Sequence, residues 1–358
     1  MNDDLTVMIT AAGNQYMLGL TRCFRENGER RIRLIGADSI EDPTILQMMD
    51  AVYKVPAATA SDYADSLMEI CKKEKVDILV PVMSAELDTL AENKDRFQAV
   101  GTIVSISNRE SIHISNNKYR LYQFMQDSGM KVPKFCCIHK AGELAAAVSC
   151  VGYPENPVCI KATELSGSRG IRIIDSSKSR FDILFGEKPS SFYISYEELD
   201  VILHEREEMP EMMVMEALPG EEFSIDLVAD NGKILYMAAR QSNSISASIP
   251  MEATLFHDER AYEIAREIIG RIKLDGNADL DFKYDRNGEP VLMEINPRVA
   301  ATMAIFMEGG MNLPYLRVKQ LLGEPLPECS IRTGVKMKRR YAEMFTEVDN
   351  AADLLSTK

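Results

Sequence analysis

The sequence lacks any apolar run near the roughly 18 residues that would cross a bilayer as a helix, so no membrane-spanning segment is expected. It lacks a basic, apolar leader: Met1-Asn2-Asp3-Asp4 is acidic where a secretory signal would be basic. The cysteines Cys23, Cys71, Cys136, Cys137, Cys150, Cys159 and Cys329 are odd in number and contain no C-x-x-C pair. With no leader, they read as reduced thiols in a cytoplasm, not as a disulfide frame or a zinc site. Packing is preferred to redox activity for the adjacent Cys136 and Cys137. The four histidines are scattered and offer no H-x-x-x-H pair. Positive charge is in deficit: 41 Lys and Arg against 55 Asp and Glu leave a formal charge of −14. That argues against nucleic acid or an anionic membrane as the main partner. Any anionic ligand must be held by cations gathered locally. No internal repeat or low-complexity run is present.

What is there suffices for two or three domains: 358 residues, 46% of them hydrophobic, can bury a sizeable core. The first ~110 residues alternate strand and helix. Strands are expected at Leu5–Thr10, Arg33–Gly36, Ile78–Val82 and Thr102–Ser107, and helices at Tyr16–Glu26 and Asp62–Lys73. Such alternation predicts a parallel sheet with helices on both faces. The turn at Gly13 is not G-x-G-x-x-G, so a dinucleotide site is unsupported.

Residues 279–298 carry the strongest chemical signal. Two apolar-alternating runs flank Asn287-Gly288, a strong short hairpin-turn signal. With those two residues as the loop, Arg286 faces Glu289, and counting outward Asp281 lies across from Glu294. Asn296 falls on the same face. Two carboxylates and an amide oxygen on one rigid hairpin form a hard-oxygen set suited to Mg²⁺. The bland alternative is a solvated acidic hairpin. The run Glu294-Ile295-Asn296-Pro297-Arg298 weighs against it, because an apolar strand delivers the acid and amide to its end and proline then stops the ladder.

Four further segments stand out. Residues 118–130 read as a helix beginning at Lys118 and stopped by Gly129. Lys118 is either a solvated first-turn lysine or functional, and a cation at a helix start is mildly unfavourable. Residues 157–161 form a short strand ending in Lys161, expected exposed, so that Lys161→Ala should spare the fold. The loop Ser166-Gly167-Ser168-Arg169-Gly170 follows, then the strand Ile171–Ile174. Strand, lysine, Gly/Ser loop and strand make either an ordinary connection or a flexible flap over phosphates. Beyond a charged helical stretch at about 195–208, strands Met213–Glu216 and Phe223–Val228 flank Leu218-Pro219-Gly220. Arg240 closes the strand Ile234–Ala239 and is either a surface residue or a bidentate ligand for a carboxylate or phosphate.

Together these segments resemble the ATP-grasp superfamily, above all one synthetase unit of the carbamoyl-phosphate synthase large subunit and its stand-alone amino-acid-ligating relatives. The resemblance runs over roughly residues 5–325 and is most specific at Glu294–Arg298. It implies an α/β fold in which a Rossmann-like parallel sheet (1–112) precedes a two-lobed α+β ATP-grasp domain. The first lobe with its lid would be 113–217, the second lobe with the metal site 218–335, and a strand and tail 336–358. It implies ATP held by Lys118 and Lys161, by the lid residues Ser166, Gly167, Ser168 and Gly170, and by Glu216, Ala217 and Leu218 around the adenine. Glu222 would take the ribose, with Glu221 as the alternative. Asp281, Glu294 and Asn296 would hold Mg²⁺, two ions by the family pattern, with Mn²⁺ able to substitute. Lys161, Arg240 and Arg298 would be catalytic. The implied reaction is carboxylate activation by ATP, giving an acyl phosphate that an amine displaces with release of ADP and phosphate. Bicarbonate or carbamate phosphorylation and a non-catalytic nucleotide sensor are the alternatives. Partners would be small-molecule carboxylates and amines, without nucleic acid or membrane, and homodimer formation stays open.

Overall fold

The computed structural model describes residues 4–165, 167–188, 191–246, 249–340 and 342–345. Three sheets organise the chain. The first contains β1 (Leu5–Thr10), β2 (Ile32–Asp38), β3 (Ala51–Lys54), β4 (Ile78–Val80) and β5 (Ile103–Val104), in the order β3-β2-β1-β4-β5 and parallel throughout. Its centre is apolar on both sides. Val7 and Ile9 pack into one core with the helix Met17–Arg25, while Met8 packs into another with the helix Tyr63–Glu74. A continuous apolar run is what a parallel strand covered on both faces requires. β3 was not anticipated from sequence; its residues are only half-buried and give little apolar signal.

The second sheet contains β6 (Phe135–Ile138), β7 (Val158–Ala162), β8 (Arg172–Ile174), β9 (Tyr193–Ile194) and β10 (Met212–Glu216), in the order β6-β10-β7-β8-β9. The third is antiparallel: β11 (Glu222–Asp230), β12 (Lys233–Ser246), β13 (Ile249–Phe256), β14 (Gly276–Tyr284), β15 (Pro290–Asn296) and β16 (Lys336–Lys338), in the order β15-β14-β11-β12-β13-β16. One face of this sheet is a hydrophobic floor. Phe223, Ile225, Leu227, Leu280, Phe282, Leu292 and Ile295 bury against the helix Glu259–Ile272, whose start Asp258 caps by accepting from the Arg260 and Ala261 amides. Strand alternation then sends the intervening residues to the opposite face, which is polar. No helix among the described residues is long and apolar enough to cross a membrane.

Candidate active site

The hairpin departs from the simple count in two places that cancel. Asp285 pairs with Glu289, its amide donating to the Glu289 carbonyl at 2.9 Å, so the loop is the three residues Arg286-Asn287-Gly288 and not two. Gly288 closes it at φ +74°, a left-handed conformation that glycine adopts at no steric cost. Three residues in place of two shift the register by one, and Phe282 therefore faces Leu292. A bulge at Met293 then inserts one extra residue in β15 and restores the count. Asp281 faces Glu294, and Asp279 faces Asn296. Leu292 and Ile295, three apart, both reach the hydrophobic floor because the bulge lies between them. The Met293 carbonyl receives Lys161 Nζ at 3.4 Å.

The face so built carries more charge than was anticipated. Asp281 lies beside Ser224, whose hydroxyl donates to Asp281 Oδ1 at 2.6 Å. The Asn296 amide nitrogen lies 3.3 Å from Asp281 Oδ2 and 3.5 Å from Glu294 Oε1. Asp226 and Asp279 face each other on β11 and β14. Both are nearly inaccessible, and both engage Arg240, through Nε at 2.9 Å and Nη2 at 3.1 Å. Arg240 is thus not the strand-end residue expected. β12 runs six residues further, and its guanidinium is buried at 3% exposure between two carboxylates. Arg298 follows β15, with Nη1 at 3.2 Å from the Val299 carbonyl and 3.8 Å from Asp279 Oδ2. Ser224, Asp226 and Asp279 were missed. Their signal is parity, since they alternate with Phe223, Ile225 and Leu280, but parity is informative only once the strands are aligned.

Asp226 yields a test of this network. Burial first, opposed by Arg240 and reinforced by Asp279, pushes its carboxyl from 3.8 up to about 7, and its Oδ1 has no hydrogen-bond partner among the described residues. A carboxyl raised on folding stabilises the fold below its unfolded value and loses that contribution as pH rises through the folded one. Wild type should therefore lose stability relative to Asp226→Asn between pH 3.8 and about 7, at up to about 1.4 kcal/mol per pH unit. Parallel unfolding curves across that window would refute the assignment.

Lys118 forms an ion pair with Glu294, and the positive charge of Lys161 also bears on that carboxylate. Asn117 caps the helix Lys118–Asp127 by accepting from the Arg120 amide, and the Lys118 amide donates to the Thr163 carbonyl at 3.0 Å, which fixes the helix start beside the end of β7. Lys118 Nζ then lies 3.0 Å from Glu294 Oε2 and 3.1 Å from the Leu165 carbonyl. Lys161 is 3% exposed, not the exposed residue expected, because β7 is an inner strand and Tyr122 lies under the ammonium at 5.6 Å. Burial lowers its affinity for a proton. Burial raises the Glu294 carboxyl, but Lys118 and Lys161 outweigh it and bring it down to about 2. Asp281 moves the other way, raised well above the carboxylate range by burial and then by Asp279 and Glu294. Facing carboxylates, of which Asp281 lacks a cation of its own while Glu294 is paired with Lys118, together with one amide fit a hard dication. Asn296 would contribute its Oδ1 by turning its amide over.

The remaining expected residues border this face. Ser166 lies outside the described residues. Gly167, Ser168 and Gly170 sit in the loop between β7 and β8 with φ of +67°, +60° and +71°. Between the second and third sheets, Gly220 is pressed against Tyr284, where an added Cβ would lie 2.5 Å from the Tyr284 carbonyl oxygen. Glu216 ends β10 and accepts from the Lys134 amide at 3.3 Å. The Ala217 amide is used by the Pro157 carbonyl at 3.1 Å, so it cannot also read a base edge. The Leu218 amide has no protein partner among the described residues. Glu222 faces Lys283 and shares the parity of Ser224 and Asp226, while Glu221 lies outside the strand in contact with Gln241.

Residues 208–343 match the model of an ATP-grasp family found in the biosynthetic pathway with the Ter operon. Residues 7–105 match the PylC-like N-terminal domain. The arginine-specific large chain of carbamoyl phosphate synthase from Bacillus subtilis is 20% identical over 298 residues, covering 80% of this chain and 26% of that protein. The chain thus spans about a quarter of the length of that relative. Biotin carboxylase from Campylobacter jejuni, solved with a β,γ-ATP ligand, superposes with a TM-score of 0.67 at 16% identity, over 91% of this chain and 73% of that one. The L-amino acid ligase of Bacillus licheniformis superposes with a TM-score of 0.62 at 14% identity, over 90% and 76% respectively.

Proposed function

We propose, from the premise that the chain belongs to the ATP-grasp superfamily, that it is an ATP-dependent carboxylate–amine ligase acting on small molecules in the cytoplasm. The observation that carries this reading is the ion pair of Lys118 with Glu294, within the electrostatic reach of Lys161, where Glu294 itself faces Asp281 beside Asn296. Asp281, Glu294 and Asn296 would hold Mg²⁺, which when bound neutralises phosphate charge. Lys118 would then exchange Glu294 and the Leu165 carbonyl, and Lys161 the Met293 carbonyl, for phosphate oxygens. The lid around Gly167–Gly170 would cover the phosphates and exclude water, which an acyl phosphate requires. Leu218, the Ala217 carbonyl and Glu222 would face the adenosine. Arg298, partly buried at 19% side-chain exposure and only loosely held by Asp279 at 3.8 Å, supports the role of binding the acceptor carboxylate or the acyl phosphate. Arg240 has both carboxylate partners already, so the reading that fits it is to hold Asp279 in place beneath Arg298.

Such an enzyme works mainly by positioning and charge. Its charges gather at the terminal phosphates, which favours cleavage to ADP and phosphate. Phosphorus NMR of ATP incubated with Mg²⁺ and amino acids, singly and in pairs, should show ADP and phosphate dependent on the amino acid. AMP and pyrophosphate as the main products would sink the mechanism. Arg298→Lys should reduce turnover more than ATP affinity, because lysine keeps the charge but not the bidentate fork. The carbamoyl phosphate synthase likeness favours a second reading, phosphorylation of bicarbonate or carbamate. Phosphate release that depends on bicarbonate and not on amino acids would select it.

A further inference from the structure

On the edge of the second sheet, away from the carboxylate hairpin, three side chains of a different chemistry come together. Cys137 and His139 are two residues apart at β6, so both project from one face. β6 pairs antiparallel with β10, Ile138 facing Met212 and Cys137 facing Met213, and one step further brings Glu211 opposite His139. One donor atom from each of Cys137, His139 and Glu211 lies within 4.8 Å of the other two. His139 Nδ1 and Glu211 Oε2 are 3.5 Å apart. Two ligands of a tetrahedral zinc ion, at bonds of about 2.0–2.2 Å, stand about 3.3–3.6 Å apart. Glu143 holds this segment from behind, accepting the His139 and Lys140 amides at 2.7 and 3.3 Å.

We propose that Cys137, His139 and Glu211 form a binding site for a divalent transition metal, zinc by donor chemistry, with its fourth position open to water or an incoming ligand. A thiolate, an imidazole and a carboxylate make a borderline-soft set that favours zinc over the hard cations suited to Asp281 and Glu294. His139 is 62% exposed at its side chain, so the metal has an entry path and the fourth position faces solvent. Binding replaces one Cys137 S–H bond by one S–metal bond, with a proton released. The same cross-strand row runs from Cys137 through Met213 to Lys161, which puts the site about 10 Å from Lys161 at strand spacing. Local spacing concealed it, since the third ligand comes 72 residues after His139 in the chain.

The test uses the full chain, reduced and metal-free, titrated with Zn²⁺ against a chromophoric chelator, with Co²⁺ as the spectroscopic probe. One tight equivalent is expected, with a thiolate-to-cobalt charge-transfer band. Asp281→Asn should leave it in place. Cys137→Ser and His139→Ala should each weaken it by at least about tenfold, since even outer-shell partners of a metal contribute that much. His139 is exposed, so its variant tests the site even if Cys137→Ser folds poorly. The proposal is overturned by a Zn²⁺ affinity unchanged in His139→Ala, by the absence of the cobalt–thiolate band, or by loss of the site in Asp281→Asn alone.

Discussion

Glu294→Gln is expected to lower ATP turnover by about 10²- to 10³-fold, on the scale of removing one preorganised charge-stabilising group. The substitution keeps the shape of the side chain and removes the charge that pairs with Lys118 and that Lys161 also feels. Its effect on binding should depend on metal. With Mg²⁺, ATP affinity should fall, because Asp281 and Asn296 alone make a poorer cation site. Without Mg²⁺, ATP affinity should hold or rise, because Lys118 no longer has a carboxylate competing with phosphate. Calorimetric titration with and without Mg²⁺, beside phosphate release measured across Mg²⁺ concentrations, reads both effects. Unchanged turnover with an unchanged Mg²⁺ requirement would remove Glu294 from the site.

Lys161 should separate chemistry from stability. At 3% exposure, with its ammonium over Tyr122 and against the Met293 carbonyl, it is part of the packing as well as of the charge. Lys161→Ala should cost about 2–5 kcal/mol of stability, as large-to-alanine changes in cores do. Lys161→Met keeps most of the volume and removes a cation whose charge is penalised by burial, so it should unfold close to wild type. Both variants should lose about 10²- to 10³-fold in phosphate release if the ammonium clamps phosphate. Thermal unfolding and turnover measured on the same samples decide it, and normal turnover in a well-folded Lys161→Met protein would exclude the role.

The register of the hairpin shows how far local pattern reaches. Asp281 opposite Glu294 followed from counting outward from Asn287-Gly288, yet the loop has three residues and the bulge at Met293 restores the count. Alternation of apolar and polar residues does not reveal a bulge until the partner strand and the floor beneath it are known. Leu292 and Ile295 must both reach that floor, and this requirement sets the extra residue between them. Lys161 shows the opposite failure. A lysine ending a short strand reads as exposed, but burial depends on the neighbours β10 and β8, which come from segments more than ten residues away.

Sequence by itself determined the parallel character of the first sheet, through strand–helix alternation and β1 residues apolar on both sides. It also determined the oxygen-rich nature of the hairpin and a resemblance at Glu294–Arg298 to the ATP-grasp superfamily, whose family model matches residues 208–343. These are properties of periodicity and local composition. Only the tertiary structure decided that Arg240 is buried between Asp226 and Asp279, that Lys118 reaches Glu294 while Lys161 reaches the Met293 carbonyl beside it, and that Glu211 joins Cys137 and His139. Each of these depends on strands distant in the chain being set in register, and a carboxylate's charge state or a lysine's burial is fixed by those neighbours and not by the residues beside it in sequence.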